Sequence, residues 1–215
     1  MGGSITILPY TNKIIYNTAN SYLILTVMDN IKKKLKKMLT NQTYTHSLST
    51  CETALDLARR FGASEKKVEL AALLHDCAKS MSYNELIYNV EKYKIPIDGL
   101  ELKTESLLHA PVGSKLASVL FGIADPQILS AIRYHTTAAP AMSAIAKIVY
   151  VADFIELARG HKGVLDARKA AEKDIDKAML FILRRKIPYL VKKKVLIHPR
   201  SVKALNWFLG KEKKK

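Results

Sequence analysis

The chain has 215 residues, 48% hydrophobic and 25% charged, a length and balance that allow one sizeable core or two small ones and exclude an intrinsically disordered chain. Thirty-five Lys and Arg against 19 Asp and Glu give a formal net charge of +16. The lysines concentrate in "IKKKLKKML" (31–39), "VKKKV" (191–195) and the terminal "KEKKK"; the first of these keeps Ile31, Leu35 and Met38 on one helical stripe, so it reads as the solvated face of an amphipathic helix rather than a nucleic-acid arm.

Residues 1–28 are rich in Ile, Tyr and Thr without a clean period, and read as an N-terminal arm that is either a short strand pair or loosely attached. They lack a basic segment leading into an apolar core, so they do not form a secretion signal, and "MGGSIT" matches a myristoylation pattern with too few fixed positions to count. From residue 29 the apolar spacing predicts helices over 29–40, 45–61, 65–79, 82–93, 106–121, 126–136, 142–158, 166–171, 174–193 and 199–209. Gly62, Pro96, Gly99, Gly122, Pro126, Pro140 and Gly160 punctuate them, with Ser64 and Asp125 as expected N-caps. The pattern is one all-α domain, a helical bundle over 29–215. No stretch of about 18 apolar residues is present, which argues against a membrane span. The two cysteines, Cys51 and Cys77, sit in apolar helical patterns, which points to a reducing cytoplasm rather than a disulfide framework.

The stretch "AALLHDCAKS" (71–80) ends an apolar run in adjacent His75 and Asp76, and four more such positions recur within or beside inward-facing stripes: His46, His109, His135 and Asp153. Asp153 follows Ile145, Ile148, Val149 and Ala152 on the inner face, where an unpaired carboxylate is costly and needs a cation or several donors. Each histidine alone is better explained by a hydrogen bond to a carbonyl in the core. Four histidines and two aspartates together are the donor set of zinc, iron or manganese, and six such ligands suffice for two ions. His161 and His198 fall in Gly- or Pro-flanked loops and stand outside this set.

The order His46, His75-Asp76, Asp153 resembles the HD-domain metal phosphohydrolase pattern. With "HDCAK", "LLHAPVG", "AIRYHTT", "IVYVADFIE" and "IHPRSVKALNW", the chain over roughly 30–210 resembles the bacterial YqeK-type family of symmetrical dinucleoside tetraphosphate hydrolases. The resemblance implies one metal held by His46, His75, Asp76 and Asp153, and a second by His109 and His135 with Asp76 bridging. It further implies two transition-metal ions, iron favoured over manganese or zinc, and a dinucleoside polyphosphate as substrate. Asp76, Lys79 and Arg133 would act on the transferring phosphoryl group. Pro111 in a helical first turn would leave the amides near Ala110 and Val112 for phosphate; Thr136 and Arg159 would contact substrate; His198, Pro199 and Arg200 would close over the adenosine. A membrane or nucleic-acid partner is not expected, while a homodimer is compatible. Three positions depart from the family pattern: Thr43 stands where an arginine is usual, and Leu157 and Lys162 replace prolines. Another HD phosphohydrolase activity, on a nucleoside monophosphate or an alarmone, and a basic nucleotide- or RNA-binding module are the alternatives.

Overall fold

A computed structural model describes residues 18–212 in backbone and 28–212 in side chains. Eleven helices and no strand occur among the described residues. Helix α1 (Thr18–Met38) begins eleven residues before the expected start at 29. No Gly or Pro lies between Pro9 and Gly62 to stop it, and the β-branched residues there disfavour helix by only tenths of a kcal/mol each. The rest of the expected arm, residues 1–17, lies outside the described residues.

Helix α2 (Asn41–Phe61) starts at the Thr40 N-cap, whose hydroxyl accepts from the Thr43 amide, and ends at Gly62 in the left-handed region (φ 63). Helix α3 (Glu65–Leu74) has Ser64 at its N-cap, but the hydroxyl reaches no amide. The helix expected to reach residue 79 stops at Leu74. Beyond it the chain winds more tightly through i→i−3 bonds, Cys77 N to Leu74 O at 3.1 Å and Lys79 N to Asp76 O at 2.9 Å. Helix α4 (Tyr83–Tyr93) opens on a Ser82–Glu85 capping box. The short α5 (Gly99–Lys103) opens on an Asp98–Glu101 box; it was not expected, because Gly99 hid a helix one turn long.

Helix α6 (Glu105–Phe121) carries Pro111 in its interior. Helix α7 (Pro126–Tyr134) has Asp125 as N-cap, accepting from the Gln127 and Ile128 amides, with Pro126 pre-shaped for the first turn. Helix α8 (Ala144–Ile155) is buried almost all round, from Ile145 to Ile155, and packs against α2, α3, α7, α10 (Ile175–Lys192) and α9 (Val164–Lys173). A helix apolar on every face belongs at the centre of a bundle. Helix α11 (Pro199–Glu212) closes the fold against α10. Among the described residues no helix is long and apolar enough to cross a membrane.

Candidate metal centre

Five elements deliver the six predicted donors to one point. His46 comes from α2, His75 and Asp76 from the tight turn after α3, His109 from α6, His135 from the C-cap of α7 and Asp153 from the last turn of α8. The early end of α3 matters here, because it leaves His75 and Asp76 facing the centre instead of continuing a helix along the core. His75, Asp76, His109 and His135 are all buried. Asp76 faces two ways. Its Oδ1 lies 3.0 Å from His109 Nε2 and 3.2 Å from His135 Nε2, while its Oδ2 lies 3.3 Å from His75 Nε2 and 3.8 Å from His46 Nε2. Asp153 Oδ1 stands 2.9 Å from His46 Nε2.

The opposite ring nitrogens explain why Nε2 is the inward atom. His75 Nδ1 donates to Ala72 O (2.7 Å) and His135 Nδ1 donates to Ile132 O (2.8 Å). A carbonyl can only accept, so each Nδ1 carries a proton and Nε2 is the atom each ring turns to the centre, a lone pair there once the ring is neutral. His46 Nδ1 is held in the same way by the Glu156 carboxylate at 3.2 Å. His75 Nε2 and Asp76 Oδ1 are buried without a hydrogen bond of acceptable geometry. Orphaned nitrogen and carboxylate donors that converge in a buried space fit a cation, and two overlapping groups, His46–His75–Asp153 and His75–Asp76–His135, lie close enough to hold one. The chain thus carries a divalent-metal site.

Electrostatics agree. Burial would raise the Asp76 carboxyl, but His75, His109 and His135 hold it well below the usual carboxylate range. Asp153 is also held low, with burial opposed by the His46 hydrogen bond and the His75 charge. Burial lowers His109 to about 4 and pulls His135 down as well. For His75 burial works downward, yet Asp76 and Asp153 outweigh it and push the ring up to about 9. At neutral pH the centre therefore holds two ionised carboxylates and a protonated His75 beside neutral His109 and His135, and a cation that binds there takes the place of the His75 proton.

A cleft of ≈ 590 Å³ opens onto this centre and is lined by Asp76, Lys79, His135, Thr136, Asp153 and Arg159, together with Lys186 and Lys194. Lys79 Nζ lies 3.8 Å from Asp76 Oδ1. Arg159 pairs with Asp153 at 2.9 Å and stands 3.3 Å from His46 Nε2. Other predicted contacts need correction. Pro111 is not in a first turn: α6 begins at Glu105, so the Ala110 and Val112 amides lie inside the helical ladder and their residues are fully buried. The Pro111 ring instead frees the carbonyl of Leu107, a residue that lines the cleft.

Arg133 does not face the centre; its guanidinium binds Glu101 with two bonds of 2.6 and 2.8 Å. His198 is buried with both nitrogens engaged, Nε2 donating to Asp98 (2.7 Å) and Nδ1 accepting from the Arg200 amide (3.0 Å). Arg200 donates to Glu101 at 3.1 Å and lies over the Tyr134 ring. Both side chains are held by these bonds; with Pro199 they line a depression of ≈ 610 Å³ beside α5, and His198 also borders the cleft over the centre. Asp98, Glu101 and His198 also converge, but Arg133 and Arg200 already supply the cations around Glu101, so this is an ion-pair cluster joining α5, α7 and α11. The departures at 157 and 43 lie at the edge: Leu157 is 75% exposed, and Thr43 helps close the start of α2.

Sequence reading missed Glu156, Glu101 and Lys186. Glu156 was within reach of it, lying three residues after Asp153 and hence on a neighbouring face.

Comparison with known proteins places the fold and the site together. Residues 43–158, a span that contains all six converging donors, match the HD domain. The chain is 39% identical over 176 residues to "Bis(5'-nucleosyl)-tetraphosphatase, symmetrical" of Bacillus subtilis, covering 82% of this chain and 94% of that protein. The protein of the same name from Halalkalibacterium halodurans is 37% identical over 179 residues, covering 83% and 95%. A solved HD superfamily hydrolase from Clostridium acetobutylicum, described as involved in NAD metabolism, superposes with a TM-score of 0.83 at 34% identity, covering 86% of this chain and 97% of that one. The chain belongs to the HD-domain family, in its YqeK-type branch of symmetrical tetraphosphatases.

Proposed function

We propose that the chain is a metal-dependent hydrolase that cleaves diadenosine tetraphosphate, and related dinucleoside polyphosphates, symmetrically into nucleoside diphosphates. The observation that carries the reading is Asp76, whose two oxygens face separate histidine pairs at 3.0–3.8 Å. That arrangement supports two ions, one among His46, His75, Asp76 and Asp153, the other between His109, His135 and Asp76. The nitrogen-rich donor set favours iron, with manganese or zinc also suited, and disfavours magnesium alone. Bound ions would supply the charge that acidifies water and draws negative charge from a phosphoryl group.

The chain's own residues do the rest. Nδ1–H bonds to Ala72, Ile132 and Glu156 fix three rings in the ligating tautomer before substrate arrives. Lys79, 43% exposed at the cleft, offsets charge on the transferring group. Thr136 and Arg159 border the same space and offer donors to phosphate oxygens. All six donors come from a single chain, so the chemistry needs no second copy, and buried, unpaired Cys51 and Cys77 accord with a cytoplasmic location.

The test is a panel of dinucleoside tetraphosphates, nucleoside monophosphates and alarmones offered to chelator-stripped protein and to protein reloaded with iron, manganese or zinc. The reading expects ADP from diadenosine tetraphosphate in the reloaded samples alone. Activity indifferent to chelator, or faster turnover of a monophosphate, would contradict it.

A further inference from the structure

The C-terminal half of α10 and the turn after it build a wall of the cleft that no sequence motif announced. Lys186 and Leu190 lie four residues apart and so share one helix face. Lys194, Val195 and Leu196 follow beyond the helix end, and all five line the cleft that opens on Asp76 and Asp153. Two other cations of the cleft are matched, Lys79 by Asp76 and Arg159 by Asp153, while Lys194 is exposed to water. Lys186 has no ion-pair partner among the described residues. Its ammonium donates to Thr136 O at 2.7 Å and lies 5.1 Å from the Tyr150 ring centroid. An ammonium has three donors, so two are left to face the cleft. Lys186 is half-buried, and a half-buried cation with no carboxylate in direct contact favours an anion beside it. Beside it, Val195 and Leu196 are 50% and 53% exposed, an apolar shelf on an otherwise polar rim.

A half-buried cation beside an exposed apolar shelf is complementary to a nucleoside diphosphate, with its phosphates on the cation and its nucleoside on the shelf. We infer that Lys186 binds phosphate oxygens of the substrate and that Leu190, Lys194 and Leu196 hold the adjoining nucleotide. This rests on the proposed hydrolase reading and extends it: the nucleotide is held by α10 and the 193–196 turn, while the His198 and Arg200 side chains at the border stay bound to Asp98 and Glu101.

ADP is the probe, because its binding to metal-loaded protein is read without turnover. Titration calorimetry should show Lys186→Met weakening ADP about tenfold or more, the scale of a charge-assisted hydrogen bond. Its salt dependence should fall as well, Lys186→Arg should recover most of the affinity, and metal content should stay at the wild-type level. Lys194→Met, at an exposed position, should weaken ADP by only a few-fold. Wild-type ADP affinity in Lys186→Met overturns the inference. So does an affinity loss that follows melting temperature and metal content, and that arginine does not rescue, since Lys186 would then be only a tether to Thr136. The proposed reaction is judged separately, by whether wild-type protein cleaves diadenosine tetraphosphate at all.

Discussion

Glu156 offers a way to weaken the metal centre without touching a proposed ligand. Its side chain is 3% exposed, and its Oε1 holds His46 Nδ1 at 3.2 Å. The other oxygen is itself anchored, accepting from Ser49 Oγ at 2.6 Å and from the Ala158 amide at 2.7 Å. Burial raises this carboxyl, but Ser49, Ala158 and His46 outweigh it and keep it below the ordinary range, so it is ionised at neutral pH. Glu156→Ala leaves His46 free to change tautomer and to rotate its ring. Loss of such an orienting carboxylate typically lowers metal affinity about 10- to 100-fold, which is roughly 1.4–2.8 kcal/mol. Glu156→Gln keeps an acceptor and the volume, and should lose less. The assay is competitive metal titration against a chromophoric chelator, with circular dichroism to confirm that the helices are intact. Wild-type metal affinity in a folded Glu156→Ala protein would refute the argument that Glu156 fixes His46.

Asp76→Ala should abolish metal retention and activity together, because it removes the carboxylate that faces both histidine pairs; His161→Ala should do neither, since its Nε2 bonds Phe154 O at 3.1 Å. Metal lost in His161→Ala but kept in His109→Ala would reverse the assignment. Glu101→Gln should destabilise the fold by roughly 3 kcal/mol, because it breaks a buried ionic contact with both Arg133 and Arg200. Burial raises the Glu101 carboxyl, but Arg133 and Arg200 hold it below its ordinary 4.5. Its stabilisation is therefore present above about pH 4.5 and lost as pH falls through the lower folded value. Thermal melts should show the gap between wild type and variant closing as the pH falls below 4.5; a gap that does not change with pH contradicts the ion-pair reading.

Apolar periodicity made the helices legible, and the recurrence of His and Asp beside inward stripes made the centre legible, because burying several such donors together has few explanations other than a cation. What periodicity could not give was the winding at helix ends. Residues 75–79 continue the apolar pattern of α3 while leaving its i→i−4 ladder, and "HAPVG" looks like a helix start although Glu105 has already begun the helix. The roles of single cations were equally hidden. Arg133 and Lys186 both lie on helices near the cleft, yet one is bound to Glu101 from a helix of five residues and the other reaches Thr136 O on the cleft wall. That difference is set by tertiary partners 32 and 50 residues away along the chain.

The position of the bond that breaks tests the account most directly. Diadenosine tetraphosphate incubated with metal-loaded protein in ¹⁸O-labelled water, with initial products separated by anion exchange and weighed by mass spectrometry, reports which phosphorus is attacked. The account predicts ADP as the sole initial nucleotide, with label in the terminal phosphate of one of the two molecules formed. AMP and ATP as the initial pair would contradict it, even with both metal ions in place.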